Sequence, residues 1–156
     1  MTAPDHDCWW TRRRECELSR RGSHLIGAGL SRSVLETAAR HLGEPLVFAA
    51  SEDEPDDEAF TLGPWAGNLH DRCMLQVEPY DARLAEALIA GAVALHAHYL
   101  GLPTAPNVVA RVSECLGDET TIRLRSIPER GQLLMRCHPA EAGWWSRLTT
   151  PVVRLL

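Results

Sequence analysis

The chain contains no lysine: all 16 of its Lys and Arg residues are arginine. Every fixed cation is therefore a planar, permanently charged fork suited to carboxylate, phosphate and aromatic partners. No apolar run reaches the roughly 18–20 residues that cross a bilayer, and the most apolar stretch, ALIAGAVALHAHYLGL, is broken by two histidines. The N-terminus lacks an apolar segment followed by a small-residue cleavage site, so a secretory signal is not expected. No GxSxG elbow, HExxH or P-loop occurs, which removes the commonest hydrolase, zinc-protease and nucleotide-triphosphate signatures. No CxxC pair occurs among the five cysteines, which leaves reduced thiols as the expectation and a cytoplasmic setting as the inference. The sequence also has no internal repeat and no low-complexity stretch beyond one acidic run.

What is present is a chain of 156 residues, long enough for one domain with a real core. The net charge of −5 is unevenly placed: Glu52–Glu58 (EDEPDDE) holds six of the 21 acids, and without it 15 acids face 16 arginines. Bulk charge thus gives no general affinity for nucleic acid. Residues 1–24 are polar, basic and aromatic without a clear period, and they are expected to form an Arg/Trp-rich arm preceding a single domain over 25–156.

Apolar spacing predicts a helix after Gly29, with Ser33 and Glu36 as a capping box, a stripe of Val34, Leu35, Ala38 and Ala39, and Gly43 as the stop. PLVFAA (45–50), AFTLG (59–63) and RCMLQVEP (72–79) read as strands, with PWAGN as a turn. Asp81 caps a long helix that Gly101 closes; it is apolar nearly all round and so is expected to be central. A shorter helix covers 107–117, TTIRLRSI and QLLMRCH form a hairpin, and the ending holds one helical turn. The expected fold is α+β: an antiparallel sheet of about five strands packed against a long central helix and one or two shorter helices.

Four candidate sites emerge. The stretch from His24 to Glu54 resembles the opening of a flavoprotein-type dinucleotide-binding fold, with Gly27 and Gly29 at its first two glycines and Glu52 near its ribose-binding acid, although Arg32 stands at the third glycine. That resemblance covers about thirty residues and implies a nucleotide cofactor at the Gly27–Gly29 turn. A metal site would draw on Cys8, Cys16, His24, His70 and Cys73, of which only His70 and Cys73 have chelating spacing. His96 and His98 are two apart on a helix and point away from each other. Cysteine nucleophiles find no partner: Cys137 and His138 fall on opposite strand faces. The fourth candidate is a partner-binding surface: Trp9, Trp10, Arg12, Arg13, Arg14, Arg20 and Arg21 from the arm, Arg123, Arg125 and Arg136 from the hairpin, and Trp144 and Trp145. Arginine and tryptophan are enriched where interfaces carry their energy.

The favoured function is a small cytoplasmic, non-enzymatic accessory protein, chaperone-, adaptor- or complex-subunit-like, without cofactor, that binds a protein partner or a second copy of itself and no membrane. The order of helix, three strands, helix and two strands loosely resembles the class I secretion-chaperone-like fold, which implies a small dimeric binding protein. One alternative is a nucleic-acid-associated subunit of a larger complex using the N-terminal arm. Another is a small enzyme with a nucleotide cofactor or a metal.

Overall fold

The computed structural model describes residues 8–50, 57–103 and 106–156. One turn of helix, α1 (Trp9–Arg12), leads into a hairpin of β1 (Glu15–Arg21) and β2 (His24–Ala28). Helix α2 (Arg32–Leu42) is followed by a meander of β3 (Leu46–Ala50), β4 (Glu58–Leu62), β5 (Trp65–His70) and β6 (Met74–Glu78). Helices α3 (Ala82–Leu100) and α4 (Pro106–Cys115) precede a hairpin of β7 (Thr120–Ile127) and β8 (Gln132–Pro139). The short α5 (Trp144–Thr149) and β9 (Val153–Arg154) complete the chain.

Among the described residues all strands belong to one nine-stranded sheet in the order β3-β4-β5-β6-β2-β1-β7-β8-β9, and every neighbouring pair is antiparallel. The α+β class and antiparallel sheet are as expected, but the expected strand number of about five is too low. The five anticipated strands are β3, β4, β6, β7 and β8. PWAGN is not a turn: Trp65–His70 is β5, and the chain reverses just before it, at Gly63 (φ 55°). Residues 15–21 are not an arm either. They form β1, paired on one side with β2 and on the other with β7, so the expected boundary at residue 24 cuts through the hairpin that joins the two halves of the sheet. The acidic run is described only at Asp57 and Glu58; residues 52–56 lie outside the described residues.

Side chains alternate across each strand, so one face of the sheet is apolar. Cys16 and Leu18 of β1, Leu75 and Val77 of β6, and Ile122 and Leu124 of β7 are buried on that face. Cys16, Leu18, Ile122 and Leu124 line a small interior gap together with Ile89 and Ala92 of α3 and Val112 of α4, which places these helices over the β1–β7 part of the sheet. Helix α3 runs for 19 residues with Asp81 accepting a 2.7 Å hydrogen bond from the Arg83 amide and Gly101 (φ 67°) ending it. Leu84, Leu88 and Val93 are fully or almost fully buried along it, each stabilising the fold by about 1.5–3 kcal/mol. Helix α2 lies against α3 so closely that a Cβ on Gly91 would come within 2.6 Å of the Val34 carbonyl oxygen. Its anticipated capping box does not form. Ser31 is the N-cap, without a side-chain capping bond, and Glu36 pairs with Arg32 one turn back instead.

Candidate functional site

The face of the sheet away from α3 and α4 carries the charged residues. On β1 the residues alternating with Cys16 and Leu18 are Glu15, Glu17 and Ser19. Register sets Glu15 opposite Arg125 and Glu17 opposite Arg123, then Arg123 opposite Arg136 and Arg125 opposite Leu134. Three hairpin arginines therefore converge on one carboxylate-bearing strand, because opposed residues in adjacent strands share a face.

Glu15 lies at the centre, its side chain only 4% exposed. Arg123 donates to its Oε2 from Nε (3.1 Å) and Nη2 (2.6 Å). Arg13 Nε and Arg125 Nε stand 3.5 and 3.6 Å from its Oε1. Glu17 approaches Arg123 Nη1 at 3.7 Å. Removing such a carboxylate from water is costly unless cations replace the lost hydration, and here three guanidiniums do so. Arg13, Glu15, Arg123 and Arg125, with Leu134, Met135, Arg136 and Val152, bound a concavity of about 320 Å³.

Arg13 reaches the site because α1 is held down. The Arg13 guanidinium lies 4.9 Å from the Trp9 ring centre, and Arg123 lies 5.1 Å from that of Trp10. A Cβ on Gly29 (φ 73°) would meet the Glu15 carbonyl oxygen at 2.5 Å and Trp10 Cβ at 2.9 Å, so only glycine lets α1 pack there. A Cys8–Cys73 disulfide ties the start of α1 to the β5–β6 turn. This corrects the expectation of reduced thiols: sequence spacing did not pair these two cysteines, whereas folding brings their Cα atoms to 6.7 Å.

The other expected partner-binding residues are dispersed. Arg12 is exposed. Arg14 (φ 53°) lies 6.0 Å from the Tyr99 ring centre. Arg20 stacks on Tyr80 at 3.7 Å and pairs with Asp118 at 3.9 Å, while Arg21 pairs with Glu141. The seven arginine and tryptophan positions of the arm thus do not form one surface; Arg13 lines the concavity with Trp9 beneath its guanidinium, and Trp10 underlies Arg123. Trp144 and Trp145 are 69% and 65% exposed, with ring centres 5.5 Å apart.

The candidate metal ligands do not come together: among the described residues no three His, Cys, Asp or Glu side chains form a metal-binding group. Cys8 and Cys73 are joined to each other, and Cys16 is buried against the helices with its pKa pushed up to about 12 by burial. His24 pairs with Glu78 at 3.1 Å and His70 with Asp57 at 3.2 Å. Gly27 and Gly29 flank a tightly packed turn rather than an open cradle; a Cβ on Gly27 would meet Leu30 Cδ1 at 2.5 Å. Strands β2 and β3 are separated in the sheet by β6, β5 and β4, so the β2–α2–β3 unit is not the adjacent parallel crossover of a dinucleotide-binding fold.

Three polar groups, Thr121 and His138 buried and Ser19 half-buried, were not anticipated. Ser19 Oγ and Thr121 Oγ1 share a 2.6 Å hydrogen bond, and His138 stands opposite Thr121. His138 Nδ1 lies 3.0 Å from the Pro139 carbonyl oxygen, while its buried Nε2 has no protein partner. The alternation of Glu15, Cys16, Glu17, Leu18 and Ser19 was the available signal for the central strand, and with it for Glu15. No protein-family model matches the sequence, and neither a curated protein nor a solved structure is significantly similar to it. Among the described residues, fold and site define an α+β protein with α3 and α4 on one face of its sheet and an arginine-lined concavity on the other.

Proposed function

We propose that the chain is a small non-enzymatic accessory protein, without cofactor, that binds a protein partner at the end of the sheet where α1, β7, β8 and the C-terminal segment meet. The observation that carries this reading is the location of exposed apolar side chains. Of the seven large exposed hydrophobics among the described residues, Trp9, Trp144, Trp145, Val152 and Val153 belong to α1 or to the segment from α5 to β9. Val152 lines the arginine concavity, and Trp9 lies beneath Arg13, which lines it too. Tryptophan and arginine beside each other, partly desolvated, are the residues that carry interface energy. No helix among the described residues is long and apolar enough to cross a membrane.

The inferred cytoplasmic setting gains a condition: the Cys8–Cys73 pair is oxidised in this structure, and reducing compartments open such bonds. Non-reducing mass spectrometry of protein taken from its host cells shows which state prevails. The docking reading is tested by placing a photoreactive residue at position 145 in the full chain and irradiating the host cells. One discrete cross-linked protein is expected, a second copy of this chain included, and a paired Trp9→Ser, Trp144→Ser change should remove it. Cross-links scattered over abundant proteins and unaffected by those changes would overturn the reading.

A further inference from the structure

The five cysteines of the chain meet three different fates. Cys8 and Cys73 are bonded to each other, and Cys16, Cys115 and Cys137 are free. Cys16 is closed off: it is buried beneath α3 and α4, and burial pushes its pKa up to about 12. The thiolate is the nucleophilic form of cysteine, so a thiol held protonated in the core is inert. Cys115 and Cys137 differ from it. Both are half-buried at the margin of the core, and they meet.

Cys115 is the last residue of α4, and Cys137 stands on β8 opposite Ile122, on the helix side of the sheet. Across a separation of 22 residues, the Cys137 thiol donates to the Cys115 carbonyl oxygen at 3.2 Å. A helix leaves its last carbonyls without an internal partner, so this contact caps α4. Capping alone does not account for the sulfur, because a thiol is a weak donor and a serine hydroxyl would cap better. What sulfur adds is a second thiol beside the one on the capped residue. The pKa of Cys137 is raised by burial and then by the charge of Cys115, which places the two side chains within electrostatic reach of each other. The partner that Cys137 lacks in His138, which points to the opposite strand face, is thus another cysteine.

We propose that Cys115 and Cys137 form a dithiol site that is oxidised reversibly to a second disulfide, with a small-molecule disulfide of the glutathione class as the oxidant. The Cys115 thiolate attacks one sulfur of the small disulfide, forming a mixed disulfide and releasing one small thiolate. Cys137 then gives up its proton, leaves the carbonyl and attacks Cys115 Sγ, forming the intrachain bond and releasing the second small thiolate. Two protein thiols are oxidised, one small disulfide is reduced to two thiols, and the two protein protons end on the released thiolates. The order follows from the geometry: the Cys137 proton is engaged by the carbonyl, so Cys137 is the slower nucleophile for the first attack. Excess reduced small thiol runs both steps backwards. The product ties the end of α4 to β8, as Cys8–Cys73 ties the start of α1 to the β5–β6 turn.

The test equilibrates the full chain, without denaturant, in buffers of oxidised and reduced glutathione. The thiols are then trapped by acid and alkylation, and the chain is cut with trypsin and read by mass spectrometry without reduction. Arg123, Arg125, Arg130 and Arg136 lie between the two cysteines, so the bond appears as a linked pair of peptides. In the oxidised buffer the linked pair should be the dominant form, two hydrogens lighter than the two separate thiol peptides, and reduced glutathione should restore the thiols. In Cys137→Ser the link should be lost, and Cys115 should retain glutathione as a mixed disulfide that nothing resolves. Circular dichroism establishes that this variant is folded; if it is not, the forward and reverse conversion of the unaltered chain decides. A thiol that only caps α4 would form no link. Free thiols persisting at both positions in the oxidised buffer, glutathione on both without a link, or a link that forms only after urea unfolds the chain overturns the assignment. So does pairing of Cys115 or Cys137 with Cys8, Cys16 or Cys73 in place of each other.

Discussion

Protonating His96 should destabilise the fold, and the structure sets the size of the effect. His96 is fully buried on α3. Its Nδ1 shares a 2.6 Å hydrogen bond with Ser126 Oγ of β7, and its Nε2 has no partner. The ring meets Tyr99 edge-on at 5.5 Å, and Arg14 lies over that tyrosine, so its surroundings include a cation and no carboxylate bonded to the imidazole. Burial lowers its pKa from 6.5 to about 4. As pH falls through 6.5 the unfolded chain takes up the proton first, so stability present above pH 6.5 is lost progressively until about pH 4, where the folded state is protonated too. The full loss is about 3 kcal/mol, of which about 2 kcal/mol has gone by about pH 5. Urea unfolding of the native chain and of His96→Asn, at about pH 7.5 and about pH 5, isolates this contribution, because the other titrating groups are common to both. The native chain should lose about 2 kcal/mol more than the variant between the two conditions, a difference of about 1 M in midpoint at an m-value of about 2 kcal/mol/M. Equal losses in the two proteins would show that His96 is hydrated or charged in the fold, and the reasoning from its burial would be wrong.

Two further predictions concern how α1 and α2 are held. Gly91→Ala, which at an ordinary helix position gains up to about 1 kcal/mol, should instead destabilise by about 1–3 kcal/mol because the new methyl would lie 2.6 Å from the Val34 carbonyl oxygen; a stabilised variant in thermal unfolding would mean that α2 and α3 are not in this contact. Reducing the Cys8–Cys73 disulfide, or replacing both cysteines with serine, opens a loop spanning a sequence separation of 65, which on chain-entropy grounds costs about 4 kcal/mol. Denaturant midpoints with and without reductant measure this directly, and an unchanged midpoint would show that the bond does not constrain the chain.

The strands with strong alternation or β-branched runs were legible in the sequence because their neighbours did not obscure the period. TTIRLRSI shows Ile122 and Leu124 alternating with Arg123 and Arg125, and the hairpin that follows places Arg136 beside them. The central β1 was not legible, although Cys16 and Leu18 alternate with Glu15, Glu17 and Ser19. It is preceded by WWTRRR and itself ends in Arg20 and Arg21 before Gly22, and a strand with charged ends resembles a solvated arm until its partners are known. β5 was hidden for a related reason: Gly67 and Asn68 look like turn residues. Gly67 is required because a Cβ there would meet the Gln76 carbonyl oxygen at 2.2 Å.

The sequence by itself determined the α+β class, the extents of α2 and α3, the common face of Arg123 and Arg125 and the opposed directions of His96 and His98, because each follows from a local period or a capping residue. Tertiary structure alone decided that Glu15 meets Arg123 across 108 positions of chain, that Arg13 joins them, that Cys8 finds Cys73, and that the expected metal ligands part company. Those outcomes depend on strand order and register between segments far apart in the chain, and no local pattern encodes which edge a strand will pair with.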